Sequence, residues 1–154
     1  VGVCYNGGPM ELNEGMNTMS MSGKTRFPPI EGLEGEDLRL IHYFHLYPHF
    51  LIGLNPDYVV QHTVWPRSPG RSTVICDWLF PPSTLATEDF DAGDVIEFWD
   101  TTNRQDWGLC ERVQEAAGSR GASPGPYHPS ETCVHAFDSW SVRTMRARLD
   151  TLTD

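Results

Sequence analysis

Between residues 38 and 82 the chain is crowded with β-branched and aromatic residues, in three stretches: LRLIHYFHLYPHFLIGL, DYVVQHTVWP and STVICDWLFPP. Turn signals separate them, NP at 55–56 and PRSPGR at 66–71. Apolar density with such short connections predicts three consecutive strands in an antiparallel meander. Upstream, MELNEGMNTMSMSGKT alternates Met with Ser or Thr ahead of Gly23, which reads as a short strand and turn. RFPPIEGLEGED then reads as a loop.

Beyond residue 100 the apolar period changes from two to about 3.6. The stretch TTNRQDWGLCERVQEAAG carries the longest helical pattern, with Asn103 as N-cap, Asp106 at N3 and Gly118 placed to close the helix. Asp106, Leu109, Cys110, Val113 and Ala117 fall on one stripe, so an aspartate heads an otherwise apolar face. After the Pro/Gly loop SRGASPGPYHPSE, TCVHAF reads as a strand and DSWSVRTMRARLDTL as a last amphipathic helix. The expected class is α+β.

Composition narrows the function. A length of 154 residues suits one domain with a single core, and 39% hydrophobic residues with five Trp exclude a disordered chain. A net charge of -10 argues against nucleic acid and against anionic membrane surfaces, both of which draw on basic patches. No apolar run approaches the roughly 20 residues that span a bilayer, and no signal-peptide pattern opens the chain. A cytoplasmic location is the expectation. Cys4, Cys76, Cys110 and Cys133 are widely spaced, which favours free thiols in the core over a disulfide framework. The abrupt start on VGVCYNGGPMEL suggests a piece of something longer.

Several residues could carry chemistry. His42, His45 and His49 stand close together, but on a strand His42 and His45 point to opposite faces, so three ligands on one side are not available. Cys133-Val134-His135 is half of a cysteine/histidine cluster signature, and no second pair with that spacing exists. On a strand, Cys133 and His135 share a face. Phosphate-binding glycine loops are absent. Asp106 has two readings that spacing leaves open. It can serve the helix dipole and cap, or it can project inward and require a partner such as a metal ion.

Read together, GGPMELNEGMNTMSMSGKT, HYFHLYPHFLIGLNPDYVVQH, FWDTTNRQDWGLCERVQ and SPGPYHPSETCVHAFDSW resemble the C-terminal catalytic region of Rieske-type non-haem iron oxygenase large subunits. Within these, the chain is similar to the phenylpropionate dioxygenase-like ring hydroxylases, whose relatives act on quaternary amines such as choline and carnitine. The likeness covers nearly the whole chain. It implies a helix-grip (START-like) fold, an antiparallel sheet packed against a long helix, here incomplete. It also implies a mononuclear Fe(II) held by two histidines and one carboxylate, with open positions for O2 beside the substrate. The carboxylate of the family lies on the helix of the DWxLCExxQ pattern, and the matching position is Asp106. Trp99, Asn103 and Cys110 become candidates for the pocket wall or the residues behind the ligands.

The departures from the family pattern shape the expectation. Its histidine pair and its 2Fe-2S cluster ligands belong upstream, and no such segment precedes residue 42. Residues 1–154 therefore read as the C-terminal part of a catalytic domain, with the Rieske domain and histidine ligands absent. The complete protein is expected to take electrons from NAD(P)H through a reductase or ferredoxin and to hydroxylate a small aromatic or related substrate with O2. It is expected to form a homotrimer, and the short chain alone is expected to be inactive. The alternative from another class is a non-enzymatic helix-grip module binding an apolar ligand between sheet and helix.

Overall fold

The computed structural model describes residues 5–153. Five strands, β1 (Tyr5–Glu11), β2 (Leu40–Leu46), β3 (Phe50–Leu54), β4 (Val59–Ser68) and β5 (Arg71–Leu79), form one sheet. They pair in chain order, every neighbour antiparallel. Three helices follow: α1 (Pro82–Leu85), α2 (Gly93–Ala117) and α3 (Thr132–Thr153). The expected meander is present, with one more strand than its three stretches suggested. LRLIHYFHLYPHFLIGL turns back on itself at Tyr47–Pro48–His49 and makes both β2 and β3. Proline cannot donate to a ladder, and here it sits in the turn.

Three further expectations are corrected. The strand expected within 10–25 ends at Glu11, and residues 12–34 run as a long loop over the sheet. Its buried members are mainly polar: Thr18 and Ser20 bond to Asp57 and to the Lys24 carbonyl, so side chains rather than a ladder hold the segment. The helix expected from Asn103 begins ten residues earlier, at Gly93, so Asn103 is no N-cap and Asp106 is not at N3. Asp91 accepts the Gly93 N–H at 2.8 Å, and Asp94 lies in the first turn. Gly118 does end the helix, in a right-handed conformation. Finally, TCVHAF is helical: α3 runs unbroken from Thr132, and residues two apart on a helix point to different sides. Cys133 and His135 therefore share no face. Both Cys133 and Cys110 are exposed free thiols, and Cys76 is half-buried. Cys4 lies outside the described residues.

The core sits between the sheet and the first half of α2. Val95 and Trp99 of the helix pack with Tyr58 and Val60, and Tyr43, Cys76, Trp78, Phe80 and Phe98 close around them. Tyr43, Gly53 and Val60 stand in register across β2, β3 and β4. A Cβ at Gly53 would come within 2.9 Å of both the Tyr43 ring and Val60, so the missing side chain leaves room for the ring to lie across β3. Tyr43 thereby meets Trp99 edge-on. Burial pushes its phenol up to about 12.

Two hydrogen bonds tie the sheet to α2. The indole N–H of Trp99 donates to the Tyr58 hydroxyl at 2.7 Å, and that hydroxyl donates to the Met19 carbonyl at 2.6 Å. One turn further along, His62 Nε2–H donates to Asn103 Oδ1 at 3.1 Å. Beside them, buried Asp57 accepts from Thr18 at 2.5 Å and from Thr25, which pins the 12–34 loop to the β3–β4 turn. Burial raises the Asp57 carboxyl above its ordinary range, with both hydroxyl donors pulling it down. α3 packs elsewhere, through Phe137 and Trp140 against Tyr47 and through Asn6, which donates to the Cys133 carbonyl at 2.7 Å.

Replacing Tyr58 by Phe leaves the Trp99 N–H and the Met19 carbonyl without their partner. Urea denaturation is expected to show a loss of about 1–3 kcal/mol. His62 gives a pH-dependent counterpart. Burial lowers its pKa below the ordinary 6.5, opposed by the Asn103 bond. Its stabilising contribution is complete above that value and is lost as pH falls through the lower folded-state pKa. Between about pH 7.5 and about pH 5, wild type should therefore lose urea resistance relative to His62→Gln; parallel curves would show that His62 does not titrate differently on folding.

Candidate functional site

α2 contains 25 residues, a rod of about 37 Å. Its first half is gripped by the sheet through Val95, Trp99 and Asn103, spaced four apart on one stripe. Beyond Asn103 every residue to Ala117 is exposed except Gly108, which is half-buried. The stripe expected from Asp106 through Leu109, Cys110, Val113 and Ala117 is therefore not a core stripe within the described residues. Leu109 is 54% exposed and Val113 58%. The outer half of the rod stands off the sheet, across a groove from the β4–β5 tip.

Asp106 lies three residues beyond Asn103 and seven beyond Trp99. Seven residues turn a helix through about 700°, some 20° short of two full turns, so Asp106 continues the side that Trp99 turns to the sheet. Its carboxylate is exposed, and it makes no hydrogen bond or ion pair with any described residue. Acids on this helix are not all free: Asp100, six residues earlier on another side, binds Arg104 at 2.7 Å.

The four candidates thus divide. Trp99 and Asn103 are 8% exposed, with their polar atoms committed to Tyr58 and His62. Cys110 lines a groove of about 640 Å³ between the outer half of α2 and the β4–β5 tip, together with Trp107, Glu111, Arg71 and Val74. Asp106 stands between the two groups. The structure brings Trp99 and Asn103 to one network and leaves Cys110 outside it.

His62 and Tyr58 hold that network and were not among the sequence candidates. The signal for His62 was parity: Val60, His62 and Val64 share one face of β4, and Val60 is in the core. Cys76 stands opposite His62 in the β4–β5 register. This pair is no activated nucleophile. Burial pushes the Cys76 thiol up, against the pull of Asn103, and lowers the basicity of His62.

The other histidines are dispersed. His42 stacks on Phe44 on one face of β2, His45 packs on Phe137 from the opposite face, and His49 lies in the turn against Trp65. Among the described residues no three His, Cys, Asp or Glu side chains converge as a metal-binding group. A ferrous ion held by two histidines and one carboxylate would find no histidine pair here, and at the position matching the family's carboxylate it would meet Asp106, an exposed acceptor without a partner among the described residues. No helix among the described residues is long and apolar enough to cross a membrane.

Comparison with known proteins sets this geometry in context. A family model described as the ring hydroxylating alpha subunit (catalytic domain) matches residues 2–147. Glycine betaine monooxygenase oxygenase subunits of Pseudomonas aeruginosa, from strains UCBPP-PA14 and PAO1, are 34% identical to the chain over 138 residues. That alignment covers 88% of this chain and 32% of each relative. The corresponding subunit of Chromohalobacter salexigens is 32% identical over 142 residues, 89% of this chain and 31% of its own length. The chain spans about a third of the length of these relatives. A sheet gripping a long helix, a free carboxylate on the helix side turned to that sheet, and a family match over nearly the whole length lead to one assignment: the chain belongs to the ring-hydroxylating oxygenase alpha-subunit family, in its catalytic domain.

Proposed function

We propose that residues 1–154 form the C-terminal part of the catalytic domain of a Rieske-type oxygenase, and that Asp106 is the carboxylate ligand of its mononuclear Fe(II). The observation that carries this reading is the state of Asp106. It continues the sheet-facing side of α2 past the last buried residue, and it has no partner there among the described residues. An exposed carboxylate in line with the gripped side of the helix, with no lysine or arginine paired to it, suits a cation held between this helix and further protein.

In this reading the two histidine ligands and the 2Fe-2S cluster belong to other parts of the complete subunit. When bound, the iron supplies activation of O2. The residues of this chain hold and orient. Asp106 contributes negative charge to one side of the ion. Tyr58 and His62, through Trp99 and Asn103, keep α2 seated on the sheet. Cys110, with Trp107, forms part of the wall of the groove beyond, where a small substrate is positioned near the reacting centre.

The relatives are named monooxygenases of glycine betaine, and we assign this protein a monooxygenation of the same kind, on a small quaternary amine, in preference to an aromatic acid. Electrons reach it from NAD(P)H through a reductase or ferredoxin, the complete subunit assembles as a homotrimer, and a cytoplasmic setting supplies the reductant.

In the complete subunit, Asp106→Ala is expected to abolish both iron occupancy and activity. Metal analysis that finds stoichiometric iron in this variant would remove Asp106 from the ligand role. The 154-residue chain by itself, given ferrous iron, reductant and glycine betaine, is expected to consume no O2 above the protein-free rate; oxygen-electrode traces showing substrate-dependent uptake would overturn that.

A further inference from the structure

We infer that the His62–Asn103 hydrogen bond is a positioning device that sets the direction in which Asp106 points; this rests on the reading of Asp106 as an iron ligand. A helix lying on a sheet can roll about its axis and swing about its last anchor. Along α2 the anchors are few. Asp94 in the first turn accepts from Ser22, Val95 and Phe98 contribute packing, Trp99 is fixed by its bond to Tyr58, and Asn103 is fixed by His62 with the Cys76 thiol as a weaker second contact. After Asn103 no described residue of the helix is buried.

Asp106 is therefore carried by the part of the rod just outside the grip, about 4.5 Å along the axis from the last anchor. Without the bond to His62, Asn103 keeps only its weak contact with the Cys76 thiol, and the next strong polar anchor is Trp99, about 10.5 Å back from Asp106 and two turns away. Two bonds to the sheet, one turn apart, fix the roll of the helix where one would leave it to packing. Metal-ligand geometry tolerates little error, so the residue that fixes the roll controls how well Asp106 meets the ion. Asn103 and His62 touch neither iron nor substrate in this account. They act through Asp106.

A merely structural role for the pair makes a different forecast, and double substitution separates the two. Removing the donor alone, in His62→Phe, leaves a buried amide unpaired and costs stability. Removing both polar groups, in His62→Phe/Asn103→Leu, leaves only the weakly hydrogen-bonding Cys76 thiol without its Asn103 contact and should restore most of the thermal midpoint. The test is run on the complete, iron-loaded subunit. Ferrous dissociation constants are measured by chelator competition, and unfolding midpoints are measured for the same samples.

The expected result is iron binding weakened about 10- to 100-fold in both variants, even where the double variant melts as wild type. His62→Gln places an amide N–H near the lost Nε2–H, so it should bind iron within a few-fold of wild type. Iron affinity that recovers together with stability in the double variant would overturn the inference. So would undiminished affinity in His62→Phe, or a folded His62→Gln that loses iron as fully as His62→Phe. Should the double variant fail to fold, the contrast between His62→Gln and His62→Phe decides by itself. Failure of the underlying reading looks different: Asp106→Ala would then keep its iron, whatever the His62 variants do.

Discussion

A buried indole N–H without an acceptor is costly, and much of this architecture follows from how Trp99 finds one. Trp99 sits in the core with its N–H on the Tyr58 hydroxyl, which in turn donates a hydrogen bond to the Met19 carbonyl. Three segments meet in that chain of two bonds: α2, the β3–β4 turn and the long loop. An unpaired N–H in the same place would cost more than the bond itself contributes, so the three segments are held to one arrangement rather than merely attracted to each other. Asp57, the neighbour of Tyr58, repeats the principle with hydroxyl donors from the loop.

The hydrophobic part of the grip depends on one small residue. With no side chain at Gly53, the Tyr43 ring crosses β3 to meet Trp99, and the helix lies close to the sheet. The polar part ends at His62 and Asn103. What lies past them is a helix end with exposed Leu109 and Val113 and the unengaged acids Asp106, Glu111 and Glu115. In a chain spanning about a third of its relatives, such a half-gripped helix is the feature that links fold to chemistry. Its gripped half fixes geometry, and its free half carries the carboxylate we propose as the donor.

How much of this was legible in the sequence differs from element to element. The meander was, because β-branched and aromatic density between turn residues is a local signal. The return of β2 into β3 at Pro48 was less so, since an unbroken apolar run does not say where it folds back. The start of α2 was not legible, because Gly93 is a poor start signal and the polar residues Thr101 to Arg104 resemble a helix beginning. Asn103 was taken for a cap because asparagine is commoner at helix ends than in cores. Its true setting is a buried one, made tolerable by a histidine 41 positions away. TCVHAF looked like a strand because six residues are too few to separate a strand from a buried or semi-buried helix turn.

The sequence by itself determined the class of the fold, the family, and the acid on which a metal role would have to rest, because composition, periodicity and motif are written along the chain. Only the tertiary structure decided that Trp99 and Asn103 are anchors with committed polar atoms, that His62 and Tyr58 are their partners, and that Asp106 lies one turn beyond the grip. Those facts depend on which residues meet across the sheet–helix interface. Hydrogen bonds between distant positions are set by packing geometry in three dimensions, to which local propensity is blind.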